Sequence, residues 1–376
     1  MIKRIKSASE IKRKEIDLYS TPDVFVGRHN YPNVSVGVVG SENFEESLVN
    51  EPKVWIAKQF SVKDVLKLRL GMLNPRYVGI NVKDQKRVEL LQEIAMSSKP
   101  VEAAVIFSKK PNLMPNFSMF YSPIGITGKM ERLELLGYPK ADRKIEKIVD
   151  DELKASEAIL ELYKKGKSES ILSRVLSAGL LGQNKKLVPT RWSITCVDDT
   201  ISRSLIEEIK NFEVFEEIKV FTYFYNGNLF FVLLFPSTWK FELIEIAHFP
   251  IGYGRYKPII TKDWEDYTGR KSYAEETAGG YYASRLGVAE YLKKIKRQSG
   301  VLVVREILPD YWAPLGVWLI RESIRKCFES KAKEFESVKD AVSFIHSKLK
   351  ANVNLFNESQ VLKIKDSQTK LFRFSV

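Results

Sequence analysis

The sequence predicts a mixed α+β (α/β) fold, with a central, mostly antiparallel or mixed sheet flanked by helices and a flexible C-terminal tail. Apolar runs such as "VFTYFYNGNLFFVLLF" contain turn residues and have the composition of paired strands. Between such runs lie amphipathic stretches whose apolar residues recur every three to four positions, which is typical of helices. The chain has 376 residues, 44% of them hydrophobic, and can therefore bury a large core.

The first half of the chain begins with a basic N-terminal arm, residues 1–16, which precedes an α+β core over residues 17–351 with a possible subdivision near 110–140. Glycine and proline separate short strands in "TPDVFVGRHNYPNVSVGVVG", and "PKVWIA" has the composition of another strand. Ser61 and Asp64 have the spacing of a capping box, which predicts a helix over "SVKDVLKLRLGM".

A long helical stretch is predicted over residues 142–178, broken at "KKGKSES". Next, "RWSITCV" predicts a strand, in which alternation directs Trp192 towards the core. Asn226-Gly227 predicts a hairpin, to which "KFELIEIAHF" adds a third antiparallel strand. Further on, "AGGYYASRLGVAEYL", "PLGVWLIRESIRKCFE" and "VKDAVSFIHSKLK" predict helices and "GVLVVREIL" a strand. Residues 352–376 form the tail.

The net charge is +13, from 60 Lys and Arg against 47 Asp and Glu. Such a balance favours nucleic acid or anionic surfaces as partners, although a general lysine bias would produce the same number. Cys196 and Cys327 lie far apart and form no CxxC pair, which argues against a disulfide framework or a structural zinc site. With no signal peptide and no membrane span in the sequence, we expect a cytoplasmic protein without membrane contact.

The tail carries Gln368, Leu371 and Phe374 at intervals of three residues, with Phe372 beside them. One 3₁₀ turn would place the three on one face, as in short peptides that dock by apolar anchors. The spacing resembles the PIP box, the motif that docks on the sliding clamp PCNA, but Ser375 stands where its second aromatic residue is expected. The alternative is that Leu371 and Phe374 pack into the protein's own core.

The segment "GLLGQNKKLVPTRWSITCVDDTIS" is the densest set of chemically reactive side chains. Lys186 and Arg191 supply cations and Thr190 a hydroxyl, all suited to phosphate. Asp198 and Asp199 are adjacent carboxylates that could hold Mg²⁺. The alternative is that one aspartate caps the next helix and the other is solvated.

Two further groups of residues could bind phosphate or a nucleotide. "VGRHNYP" places Arg28 and His29 in a tight turn, whose alternative role is structural. Arg285 follows two glycines at a predicted helix start, where unpaired N–H groups attract anions. Tight helix packing would equally explain those glycines.

Four segments, in this order, resemble the archaeal NreA DNA-repair family: "TPDVFVGRHNYPNVSVGVV", "LLGQNKKLVPTRWSITCVDDTIS", "YYASRLGVAEYL" and "DYWAPLGVWLIRE". The resemblance covers the chain from about residue 17 to its end. It implies a cytoplasmic, PCNA-interacting factor in the response to DNA damage. Many members begin with a cysteine cluster that resembles a zinc finger. This sequence has no such cluster, so zinc is not expected.

Three functions follow from these observations. The first is a DNA-repair factor that docks on PCNA through its tail and contacts DNA through a basic surface. The alternative is a metal-dependent nuclease or nucleotide phosphohydrolase, in which Asp198 and Asp199 bind Mg²⁺ and Arg191, Arg28 and His29 hold phosphate or act in catalysis. The third is an interaction module whose basic charge is incidental.

Overall fold

The computed structural model describes residues 15–48, 50–109, 111, 117–248 and 258–363. Its elements confirm the mixed α+β class. The chain divides into two compact units, Met1–Ile201 with Pro314–Gly316 and Ser202–Ala313 with Val317–Val376. The strands are therefore distributed over two sheets, not collected in one, and the division falls at residues 201–202, not near 110–140.

The first unit is built around a closed five-stranded barrel, in the order β1-β2-β3-β5-β4. Its strands are β1 (Glu15–Val26), β2 (Asn33–Ser41), β3 (Leu73–Asn81), β4 (Val101–Phe107) and β5 (Ile126–Leu135). β3 and β5 pair in parallel, and the other neighbours are antiparallel. Closure pairs both edges of the sheet, so none of these strands is left as an exposed edge.

Seven α-helices precede residue 190 in the described part of the first unit. They are α1 (Phe44–Leu48), α2 (Pro52–Ala57), α3 (Val62–Gly71), α4 (Glu89–Met96), α5 (Arg143–Asp150), α6 (Ala155–Lys164) and α7 (Glu169–Ser177). The capping box of Ser61 and Asp64 at the start of α3 is confirmed. The prediction of a strand in "PKVWIA" was wrong. Pro52 begins helix α2, where a missing N–H costs nothing, and Trp55 and Ile56 are its buried residues.

The segment "RWSITCV" is also helical, as part of α8 (Thr190–Ile209). Ser193, Val197 and Ile201, four residues apart, are all fully buried. Trp192, which a strand would have turned inward, is instead exposed. The β-branched composition favoured a strand, but the four-residue period of burial is that of a helix, and tertiary packing overrides propensity.

The second unit contains a six-stranded sheet in the order β11-β6-β7-β10-β8-β9. The strands are β6 (Ile218–Tyr225), β7 (Asn228–Phe235), β8 (Lys240–Ala247), β9 (Ile259–Glu265), β10 (Gly300–Ile307) and β11 (Lys333–Phe335). The predicted hairpin is confirmed, since Tyr225 pairs with Asn228 and the turn residues Asn226 and Gly227 have φ values of 48° and 71°.

The predicted three-strand meander was wrong, because β10 lies between β7 and β8. β10 pairs antiparallel with β7 and parallel with β8. Every residue of β10 is buried, as is every residue of β8. A strand that is buried on both faces is stable only in the centre of a covered sheet, which accounts for the insertion of β10.

Four more helices cover this sheet: α9 (Gly279–Ile295), α10 (Trp318–Glu329), α11 (Val338–Lys348) and α12 (Leu355–Glu358). α9 packs on α10, where the rings of Tyr291 and Phe328 stack with centroids 3.9 Å apart. Val342 of α11 and Leu355 of α12 share a core cluster with Phe231 of β7. No helix in the described part of the chain has both the length and the apolar character needed to cross a bilayer.

The predicted boundary of the tail at residue 352 is corrected by the structure. Val353, Leu355, Val361 and Leu362 are buried in the core cluster of the second unit. Because polar residues lie among these four apolar residues in the sequence, the sequence did not predict their burial. The predicted PCNA-docking residues, from Gln368 onwards, lie outside the described residues.

Candidate functional site

Three segments that are far apart in the sequence meet at one place on the first unit. The Val26 N–H donates to Oγ1 of Thr190 at 2.9 Å, which joins the end of β1 to the start of α8. The Val82 N–H donates to the Pro32 carbonyl at 3.0 Å, and the Leu187 N–H donates to the Val82 carbonyl at 2.9 Å. The turn after β1, the residues after β3 and the residues before α8 are therefore held together by backbone groups.

The turn after β1 presents its polar side chains outward. The Gly27 N–H donates to the Ser35 carbonyl, and the Asn33 N–H donates to the Asn30 carbonyl, both at 2.8 Å. Asn30 has a φ of 60°, a conformation that asparagine tolerates better than most residues. Arg28 and His29 are exposed at the tip of this turn.

Tyr31, in the same turn, lies beside Trp192 in the first turn of α8. Their ring centroids are 5.3 Å apart and their planes are inclined by 54°. Tyr31 is 43% exposed and Trp192 is 45% exposed. Two large aromatic side chains thus remain nearly half accessible to water at a position that the backbone holds in place.

Three exposed cations lie on the backbone segments that are joined here. Arg28 is in the turn, Lys83 follows Val82, and Lys186 precedes Leu187, so each lies next to one of the joined backbone segments. We call Arg28, Tyr31, Lys83, Lys186 and Trp192 the basic-aromatic patch.

Lys185, by contrast, has a structural role. Its ammonium donates to the Leu180 carbonyl at 2.9 Å and also to the Val149 carbonyl. Burial lowers the pKa of Lys185, because desolvation disfavours its charged form. Of the two consecutive lysines, only Lys186 therefore has an exposed side chain and belongs to the patch.

Two other predicted phosphate ligands hold the start of α8 in place. Thr190 accepts the hydrogen bond from Val26, so its hydroxyl connects two elements of the fold. The guanidinium carbon of Arg191 lies 3.6 Å from the centroid of the Phe120 ring, a cation–π contact. Arg191 is half-buried, whereas Arg28 and Lys186 are exposed.

Asp198 and Asp199, the predicted Mg²⁺ ligands, follow each other on α8. Consecutive helical side chains do not face each other, so the two carboxylates do not converge on one point. Asp198 is fully buried. Among the residues that the structure describes, no group of three or more His, Cys, Asp and Glu side chains could hold a metal ion. The arrangement does not favour the nuclease or phosphohydrolase alternative.

Arg285, the remaining predicted phosphate ligand, belongs to the second unit and is buried on α9. Its Nη1 donates to Oε2 of Glu265 at 2.7 Å, and its Nε donates to Oγ of Ser202 at 3.2 Å. Desolvation raises the pKa of the neighbouring Tyr281 well above its ordinary value. Arg285 thus forms a buried ion pair in the core of the second unit.

Comparison with known proteins agrees with the resemblance seen in the motifs. The model of the archaeal Nre N-terminal domain matches residues 1–250, and that of the archaeal Nre C-terminal domain matches residues 265–374. This chain belongs to the archaeal Nre family. The two matched ranges leave out residues 251–264, which contain most of β9, so β8 lies in the first range and its parallel partner β10 lies in the second.

Three curated relatives extend over most of the chain. DNA repair protein NreB of Archaeoglobus fulgidus is 36% identical over 94% of this chain and 90% of its own length. DNA repair protein NreA of the same organism is 37% identical over 86% of this chain and 83% of its own length. DNA repair protein NreA of Haloferax volcanii is 37% identical over 86% of this chain and 80% of its own length. No solved structure is significantly similar to this chain.

The last described residues of this Nre chain are held by a buried carboxylate of β8. Oε2 of Glu242 accepts hydrogen bonds from the Ser359 hydroxyl at 2.5 Å and from the Val361 N–H at 3.1 Å, and the Gln360 N–H donates to both oxygens. Burial is the largest influence on Glu242 and raises its pKa, while these hydrogen bonds act in the opposite direction. The chain is therefore anchored a few residues before the predicted docking motif.

Tyr31, Lys83 and Trp192 were missed as candidate site residues. A strand over "RWSITCV" predicts that Trp192 lies in the core. A helical period through Val197 and Ile201 places Trp192 and Cys196 together on the other side, and both are exposed. Lys83 had no local signal, because its position beside the turn depends on the pairing of β2 and β3.

Proposed function

We propose that this protein is a DNA-repair factor that contacts DNA through the basic-aromatic patch and docks on PCNA through its C-terminal residues. The repair role is supported by membership of the Nre family and by three relatives named DNA repair proteins. The observation that carries the proposed DNA contact is the convergence of three exposed cations and two exposed aromatic side chains on one backbone-linked surface.

The DNA contact follows from charge and chemistry. Exposed lysine and arginine neutralise phosphates and release counterions, which supplies most of the non-specific affinity for DNA. The chain carries a net charge of +13, so its overall field attracts a polyanion. Arg28, Lys83 and Lys186 bring part of that charge to one site.

A salt titration of DNA binding tests this contact. Replacing Arg28, Lys83 or Lys186 by Ala should each lower the slope of log K against log[salt] by about 1, because each change removes one phosphate contact. The exposed Lys63 of α3 offers a matched control, and Lys63→Ala should leave the slope unchanged. Equal slopes in all four variants and the wild type would contradict the assignment of the patch.

The proposed clamp docking rests on the spacing of Gln368, Leu371 and Phe374. The anchoring of Val361 and Leu362 in the second unit supports it, since the motif begins five positions after Lys363. Five residues span at most about 18 Å, so a clamp bound at the motif would stay close to the folded body.

Calorimetry with the cognate PCNA tests the docking. The double variant Leu371→Ala/Phe374→Ala should weaken binding about 30-fold or more, since the two side chains are the proposed anchors and truncation of hot-spot residues costs at least about 2 kcal/mol. Ser375→Ala is the control and should bind like the wild type. Unchanged affinity of the double variant would refute the docking role.

A further inference from the structure

We propose that Tyr31 and Trp192 form a stacking site for an unpaired base, so that the basic-aromatic patch selects single-stranded DNA over duplex DNA. This inference rests on the proposed function, because it names the form of DNA that the patch contacts. It begins from the unusual exposure of the two rings, 43% for Tyr31 and 45% for Trp192.

The fold holds both rings in position before any ligand arrives. Tyr31 lies in a turn closed by the hydrogen bond from Asn33 to Asn30, and Trp192 lies in the first turn of a helix of 20 residues. The N–H groups of Trp192 and Ser193 donate to the Pro189 carbonyl at 2.8 and 3.0 Å. A site that is already ordered loses little conformational entropy on binding.

The inclination of the rings leaves aromatic faces for a third ring. At 54° and a centroid separation of 5.3 Å, Tyr31 and Trp192 do not cover each other as a parallel stack would. Each base of a single strand has an accessible π-face, and stacking on aromatic side chains tolerates any sequence. In the interior of a duplex these faces are covered by neighbouring bases, so within a strand the pair engages only unpaired bases.

The exposed cations of the patch would bind the phosphates of the same strand. Arg28 lies three residues before Tyr31, and Lys83 and Lys186 are held beside the turn by the hydrogen bonds through Val82. Aromatic faces combined with a positively charged surface are the pattern by which proteins bind single strands without sequence preference. The aromatic pair would supply the selectivity, and the cations would supply affinity for any nucleic acid.

The test compares the binding of three labelled ligands to the full-length protein by fluorescence anisotropy: an oligothymidylate of roughly 20 nucleotides, a duplex of equal length and an oligouridylate. Trp192→Ala should weaken single-stranded DNA binding about tenfold, the loss of one stacked base, and leave duplex binding within about twofold. Trp192→Phe retains a stacking ring and should restore most of the affinity. Tyr138→Ala removes a fully exposed ring of the first unit outside the patch and should bind like the wild type.

The outcomes separate this inference from the function on which it rests. Duplex binding that equals or exceeds single-strand binding, or an equal loss of both in Trp192→Ala, overturns the stacking site and leaves the proposed DNA contact in place. Tighter binding of the oligouridylate overturns the assignment to DNA. No binding of any ligand by the wild type overturns the DNA contact and the inference together. Tyr31→Ala repeats the measurement on the second ring, and thermal melts verify that each variant is folded.

Discussion

At the residue scale, buried carboxylates of the six-stranded sheet hold the last described part of the chain. Glu242 of β8 accepts the N–H groups of Gln360 and Val361, and Glu306 of β10 accepts those of Lys350 and Ala351. Each carboxylate thus satisfies one buried and one partly buried backbone N–H group. The burial of Glu242 and Glu306 is explained by the segment that they bind.

Removal of the Glu242 carboxylate should destabilise the protein. Glu242→Ala leaves the N–H groups of Gln360 and Val361 without their carboxylate, and we expect a loss of about 1–3 kcal/mol in the free energy of unfolding. Urea denaturation measures it. Glu358→Ala is a matched control in the same segment. Glu358 forms a partly exposed ion pair with Lys262, so its removal should cost at most about 1 kcal/mol. Equal effects of the two changes would contradict the role of Glu242.

The pH dependence of stability should also reflect the titration of Glu242. Burial raises the pKa of Glu242 in the folded state above that of an unfolded glutamate, about 4.3. The folded state then binds this proton more tightly, so the contribution of Glu242 to stability is fully present below the unfolded pKa and is lost as pH rises through the folded pKa. Urea denaturation across this range should show a decline in stability that is smaller in Glu242→Gln. An identical decline in both proteins would exclude Glu242 as its source.

At the element scale, local turn and cap signals were reliable predictors. The capping box of Ser61 and Asp64 begins α3, and Asn226-Gly227 joins β6 to β7. Each of these two signals consists of residues that are close together in the sequence. Those residues determine the local backbone conformation by themselves. The strands predicted in "PKVWIA" and "RWSITCV" failed because composition was the sole guide, whereas the period of burial decides between helix and strand.

The hairpin turn gives a prediction at this scale. Gly227 has a φ of 71°, and a Cβ at this position would lie 2.6 Å from the backbone nitrogen of Tyr311. Gly227→Ala should therefore lower the free energy of unfolding by at least about 1–3 kcal/mol, measured by urea denaturation. Gly71, at the end of α3, has open space around its missing Cβ, so Gly71→Ala should leave stability nearly unchanged. A loss in Gly71→Ala as large as that in Gly227→Ala would argue against the steric explanation.

At the scale of the whole molecule, the two sequence domains of the family do not coincide with the two structural units. The family boundary lies between residues 250 and 265, a gap that contains nearly all of β9, and it separates β8 from β10. β10 lies between β7 and β8 and pairs with both along its whole length. The second sheet therefore needs residues from both sides of that boundary.

This arrangement predicts the behaviour of a shortened chain. A protein that ends at residue 250 lacks β9, β10 and β11, which leaves β7 and β8 without the strand between them. We expect its second unit to be unfolded and rapidly cleaved in limited proteolysis, because unpaired central strands expose apolar surface and backbone donors. A protease-resistant core that includes β6 to β8 would contradict this topology.

The sequence by itself determined the α+β class, the hairpin, the capped helix and the family, because these depend on local backbone chemistry or on motifs that survive in linear order. The tertiary structure alone decided the division into two sheets, the insertion of β10 and the meeting of Tyr31, Lys83, Lys186 and Trp192. The physical reason is that strand partners and surface neighbours are selected by burial summed over the whole unit. The total burial of a unit cannot be calculated from any short stretch of its sequence.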